Sequence, residues 1–151
     1  MKKYILFALL MMASVVFANP ISRKQAKQNA VAFLKKNDSQ KSTLKLELVH
    51  QQQFKACGHD QTDDDVAYYI FNMGEDEGFI ITSGDDVAQQ VLAYCENGHF
   101  NPNCIPDNMK SWLDDCARQI EWLARQPMKN RTYNTQHHVT RKRIKPMIET
   151  H

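Results

Sequence analysis

The chain has 151 residues, 42% of them hydrophobic and 24% charged, with 19 Lys+Arg against 17 Asp+Glu and a formal charge of +2. So even a balance carries no nucleic-acid footprint. No apolar run reaches the roughly 20 residues a membrane-spanning helix needs, so no membrane-resident product is expected.

At the N-terminus, Lys2 and Lys3 precede an apolar run from Tyr4 to Phe17, and Val16-Phe17-Ala18 supplies the small residues that a signal peptidase reads. This pattern predicts a signal peptide over 1–18 and export to the periplasm or the medium. Cleavage after Ala18 leaves 133 residues, enough for one compact domain, in which 17 basic residues face 17 acidic ones. The charges are unevenly spread. Ala56 to Met109 holds eleven Asp/Glu and no Lys/Arg, whereas Lys129 to Lys145 holds six Lys/Arg and no acid. A solvated acidic face with a basic arm accounts for this; the arm folding back, or steering toward an acidic partner, is the alternative.

Ser22-Arg23-Lys24-Gln25 has capping-box spacing, and Ala26, Ala30, Phe33 and Leu34 share one stripe, which predicts an amphipathic helix ending near Asn37. Leu44, Leu46 and Leu48 alternate with Lys45, Glu47 and Val49 as in a half-buried strand. Gly58 to Asp65 reads as a polar connection. Val66–Met73 and Phe79–Thr82 then form a hairpin around Gly74-Glu75-Asp76-Glu77-Gly78, whose glycines suit a tight turn. Ser83-Gly84-Asp85-Asp86 turns the chain into a strand over Gln90–Cys95. Pro106 suits a helix start, and Met109, Trp112, Leu113, Cys116, Ile120 and Leu123 follow at helical spacing, so a helix over Pro106–Gln126 is expected with Trp112 and Cys116 in the core. Beyond Pro127 the chain reads as a basic, flexible arm (127–151). The whole is an α+β domain over 19–126, an antiparallel sheet packed against an N-terminal and a long C-terminal helix.

Four cysteines in an exported chain, Cys57, Cys95, Cys104 and Cys116, allow three full pairings. Cys95 and Cys104 flank a short loop and form the preferred pair; free buried thiols are the alternative. Their spacing gives no zinc pattern, and no cofactor or metal site is indicated. Cys57 and His59 are close in sequence, but nothing aligns them as a nucleophile and base, and the chain is read as no enzyme. His137-His138 reads as a solvated pair in the arm, and Asp85-Asp86 lacks a second catalytic group.

Five segments in order carry a resemblance: Tyr68-Tyr69-Ile70-Phe71-Asn72; Gly78-Phe79-Ile80-Ile81-Thr82-Ser83-Gly84-Asp85-Asp86; Val91-Leu92-Ala93-Tyr94; Asn97-Gly98-His99-Phe100-Asn101; and Ile105-Pro106-Asp107-Asn108-Met109-Lys110-Ser111-Trp112-Leu113. From about Ile21 to Met147 the chain resembles the propeptide of streptopain-type cysteine peptidases and their free-standing Spi-type inhibitors. Lys145 to His151 resembles the segment leading into the peptidase, and no peptidase domain is expected to follow. The resemblance implies a protein that binds a streptopain-like cysteine peptidase, covers its cleft and disturbs the catalytic Cys and His. The expected inserting element is the loop His99, Phe100, Asn101, Pro102 and Asn103, up to Cys104. Secondary contacts are expected at Asn72, Gly74, Glu75, Asp76 and Gly78 on the hairpin. The other readings are a secreted non-enzymatic binding module and an orphan propeptide from a truncated peptidase.

Overall fold

The computed structural model describes residues 19–55 and 65–126. The expected signal peptide, Cys57 and His59, and the basic arm with His137-His138 lie outside the described residues. Helix α1 spans Arg23–Asn37 and a 3-10 turn covers Lys41–Thr43. Strands β1 (Leu46–Gln53), β2 (Val66–Met73), β3 (Phe79–Ser83) and β4 (Val91–Cys95) follow, then helix α2 (Asp107–Ala124). The strands form one antiparallel sheet in the order β1-β2-β3-β4, each beside its predecessor in sequence. The expected α+β architecture is the one observed.

The helices cover opposite faces. On one, Ala26, Ala30 and Leu34 of α1 pack with Leu46, Tyr69, Phe71, Met73 and Ile80. On the other, Leu113 and Ala117 of α2 pack with Tyr68, Ile70, Ile81 and Phe100. The central strand β2 is therefore apolar on both sides, which is why Val66 to Phe71 reads as an unbroken apolar run without alternation. β1 is the exception in composition. A register shift between Leu48 and His50 carries its leucines on the α1 face over to His50 and Val49 on the α2 face, and the strand continues through Gln51–Gln53.

At α1, the Ser22 hydroxyl caps the helix by accepting from the Gln25 amide at 3.3 Å. Gln25 does not complete the capping box: its side-chain amide donates to Asn29 at 3.0 Å. The alanines at 26 and 30 let the helix lie close to the sheet, and Phe33 meets the ring of Tyr94 edge-on at 5.6 Å.

The Ser83-Gly84-Asp85-Asp86 turn is a structural corner. The Ser83 hydroxyl donates to the Asp85 carbonyl at 2.7 Å and accepts from the Asp85 amide at 3.1 Å, while the Asp85 carboxylate accepts from Val87 N–H at 3.0 Å. The Gly84 carbonyl accepts from Ile21 N–H at 2.7 Å, fastening the N-terminal segment to the sheet, and the Tyr69 hydroxyl donates to the Ile21 carbonyl at 2.9 Å. A Cβ at Gly84 would overlap the Val66 carbonyl, so the corner closes only with glycine.

Helix α2 departs from expectation in its rotation. Its inward line is Leu113, Ala117 and Ile120. At about 100° per residue, Trp112 stands roughly 100° to one side of that line and Trp122 almost opposite it. Trp112 is 41% exposed and Trp122 52% exposed, so the expected core placement of Trp112 is corrected. The physical reason is Ala117: a small residue at the middle of the inward line admits the helix close to the sheet and swings the larger indole out. Cys116, at the edge of this line, is half-buried; burial, with Asp115 second, pushes its thiol up to about 11. Among the described residues, no helix is long and apolar enough to cross a membrane.

Candidate functional site

One end of the sheet gathers both sets of candidate residues. The β2–β3 turn, Gly74 to Gly78, lies beside the chain that leaves β4, Glu96 to Cys104, and hydrogen bonds weave the two together. Gly78 N–H donates to the Gly98 carbonyl at 2.7 Å, Gly98 N–H donates to the Asp76 carbonyl at 2.9 Å, and Glu77 and Gly98 form a parallel bridge. Gly78 sits at φ +106°, where a Cβ would overlap the Cys95 carbonyl. Glycine there lets the turn close onto the neighbouring segment. At the surface, His99 Nδ1 and Asp76 Oδ1 are 2.7 Å apart, an ion pair when the ring is protonated.

Phe100 is only 4% exposed and packs in the core, meeting Phe79 edge-on at 5.8 Å and lying 6.0 Å from the ring of His50. Its backbone is clamped by the amide of Asn72, which donates to the Phe100 carbonyl at 3.0 Å and accepts from Phe100 N–H at 2.8 Å. One expectation changes accordingly: Phe100 is the buried anchor of the loop and not an inserting side chain. The half-buried Asn72 serves the same anchorage. The signal for this lies in the pairing of Asn72 with Phe79 across the hairpin, since Phe79 extends the apolar surface that the loop aromatic joins.

Beyond the anchor the chain turns outward. Asn101, Pro102, Asn103 and Cys104 are all exposed. The Asn101 side chain accepts from Asn103 N–H at 2.9 Å, and its carbonyl accepts from Cys104 N–H at 3.1 Å, so Asn101 shapes its own turn. The expected Cys95–Cys104 disulfide is absent, and both are free thiols. Cys95 Sγ donates to the Asn97 carbonyl at 3.2 Å, and Cys104 is held in the outward turn. Phe100 and Asn72 restrain the loop between them without a covalent tie. Cys116 is also free, and no group of His, Cys, Asp or Glu among the described residues is placed to hold a metal.

A residue that sequence reasoning passed over completes this end. Lys41, in the 3-10 turn, donates from Nζ to the Glu77 carbonyl at 2.7 Å and to the Glu96 carbonyl, with the Glu77 carboxylate at 3.9 Å. It thereby ties the α1–β1 connection to the hairpin turn and to the start of the loop. The signal was in the charge map: Ala56 to Met109 contains no Lys or Arg, so a cation for Glu75, Asp76, Glu77 and Glu96 has to come from another segment.

The result is a rigid, polar, exposed edge: Glu75, Asp76 and His99 beside the Asn101–Cys104 turn, on a base fixed by Phe100, Asn72, Gly78 and Lys41. A family model described as the Spi protease inhibitor matches residues 18–120. The chain belongs to that family. It is also 30% identical over 121 residues to the thiol protease/hemagglutinin PrtT of Porphyromonas gingivalis, covering 78% of this chain and 13% of that protein. To streptopain of Streptococcus pyogenes it is 27% identical over 130 residues, covering 77% of this chain and 30% of streptopain. The chain thus spans under a third of the length of these relatives. No solved structure matches.

Proposed function

We propose that this Spi-family domain binds a streptopain-like cysteine peptidase and inhibits it by covering the active-site cleft with the exposed edge formed by Asn101–Cys104 and the Gly74–Gly78 turn. The observation that carries the reading is the loop itself. Its aromatic is sunk in the core and its backbone is clamped by Asn72, so the outward turn is presented in a fixed shape. A pre-shaped loop on a rigid base loses little freedom on binding, and it resists being drawn into a cleft as an extended substrate. The domain acts as a binding protein and not as a catalyst. We propose further that residues 1–18 direct export.

The test keeps the anchor and changes only the turn. Replacing Asn101-Pro102-Asn103 by Ser-Gly-Ser, with Phe100 retained, raises the inhibition constant against mature streptopain at least about tenfold while the melting temperature stays close to the parent's. Unchanged inhibition by this variant would remove the loop from the inhibitory surface.

A further inference from the structure

We propose that the outward face of α2, through Trp112 and Trp122, is the apolar anchor by which this domain holds the same cysteine peptidase; this rests on the function proposed above. The exposed edge just described is polar throughout: glutamates, aspartate, asparagines, a histidine and a proline, with Phe100 withdrawn into the core. Such an edge supplies shape and hydrogen bonds, but stable interfaces bury an apolar centre, and tryptophan is among the residues that most often dominate it. Among the described residues the large exposed hydrophobics are Trp112 and Trp122, and both are on α2.

Their position makes them continuous with the loop. Only Ile105 and Pro106 separate Cys104 from the first residue of α2. At about 1.5 Å per residue, Trp112 stands roughly 8 Å into the helix and Trp122 roughly 15 Å further along. A partner that buries about 800 Å² of this protein covers a patch roughly 32 Å across, wide enough to take in the loop and both indoles. The charges along the helix suit an apolar contact as well. Asp115 pairs with Arg118, and the mostly buried Glu121 pairs with Arg125 at 2.7 Å, so these charges are met within the domain. The occupant is therefore a peptidase surface beside the cleft carrying apolar recesses for two indole rings, with the cleft itself facing the loop.

The experiment uses the chain from Asn19 to His151 and mature streptopain as the probe. Trp112→Ala and Trp122→Ala each raise the inhibition constant about tenfold, and the double variant more, while melting temperatures stay within about 3 °C of the parent because both side chains are exposed. Fluorine NMR of the unmutated chain carrying 5-fluorotryptophan guards against an unfolded variant: both indole signals shift when active-site-blocked streptopain is added. A parent that inhibits streptopain alongside an equally potent double variant, with unmoved fluorine signals, overturns this inference and leaves the proposed function standing. A parent that dimerises in sedimentation, with the dimer lost but inhibition kept in the double variant, also overturns it and gives the face to a second copy. A parent that neither binds nor inhibits streptopain overturns the functional reading, and this inference with it.

Discussion

The two ends of the sheet use the same kinds of residue to opposite effect. At the Ser83–Asp86 corner, a glycine and an aspartate turn the chain, and the aspartate is buried with its carboxylate accepting from a backbone amide. At the Gly74–Gly78 end, glycines and acids also turn the chain, yet Asp76 stays at the surface, where its carboxylate meets His99. The corner consumes its polar groups to fasten the N-terminal segment. The other end is fastened from below, by Phe100, Asn72 and Lys41, and keeps its polar groups outward. Among the described residues, the Gly74–Gly78 end is the one that keeps ordered polar groups at the surface, and this is the ground on which recognition is proposed there.

Removing the anchor breaks the comparison most sharply. Phe100→Ala deletes a buried aromatic between Phe79 and His50, and truncations of that kind cost about 3–5 kcal/mol. A large fall in melting temperature is expected, with inhibition lost even at temperatures where the variant remains folded, because the turn beyond residue 100 no longer has a fixed base. A variant that melts like the parent would return Phe100 to the surface and reinstate it as a direct contact.

Much of this was legible in the chain. The hairpin Val66–Met73 with Phe79–Ser83, the Ser22 cap and both helices follow from period and turn chemistry, because each is a local pattern with a strong apolar contrast. The parts that were not legible depend on contacts between distant residues. Gln51–Gln53 are strand because β2 pairs with them, and no apolar alternation marks them. Helical spacing puts Trp112 on the apolar stripe because large apolar residues dominate such a pattern, while Ala117, which sets the true rotation of α2, contributes little to it. Phe100 shows the reverse error: a single aromatic in a polar loop has no period, and its burial is visible only once Asn72 and Phe79 are placed beneath it. Both errors concern which way an aromatic side chain faces, the quantity that tertiary packing decides.

A gentler probe of the anchored end is pH. His50 is half-buried between the rings of Tyr68 and Phe100, at 6.1 and 6.0 Å, and desolvation lowers its pKa below the ordinary 6.5. The unfolded chain therefore binds this proton more readily than the folded one between the folded pKa and 6.5. The neutral ring's contribution is fully present above 6.5 and is lost as pH falls through the folded pKa. The parent's melting temperature should drop more between pH 7.5 and pH 5.5 than that of His50→Gln, which cannot take up the proton. Since the ring touches Phe100, inhibition by the parent should weaken over the same interval relative to the variant. Parallel pH profiles for the two proteins would mean that His50 titrates alike in both states and has no hold on the loop.

The smallest effect expected sharpens the other half of the comparison. The corner end uses its polar groups almost completely, but the Thr82 hydroxyl, one residue before it, is fully buried and has no hydrogen-bond partner among the described residues. Its neighbours on that face are the apolar side chains gathered around α1, with Ile80 two residues earlier on the same strand. A buried hydroxyl without a partner forfeits its hydration, about 1–3 kcal/mol, whereas an apolar group of the same shape carries no such cost. Thr82→Val keeps the β-branch that suits the strand and exchanges the hydroxyl for a methyl. The variant should therefore be as stable as the parent or more so, by at most about 1 kcal/mol, which corresponds to a rise of roughly 4–8 °C for a domain of about a hundred residues. Inhibition should not change, because the residue lies at the end of the sheet away from the loop. A clear loss of stability on this substitution would show that the hydroxyl is hydrogen-bonded in solution, and the corner would then spend every polar group it has.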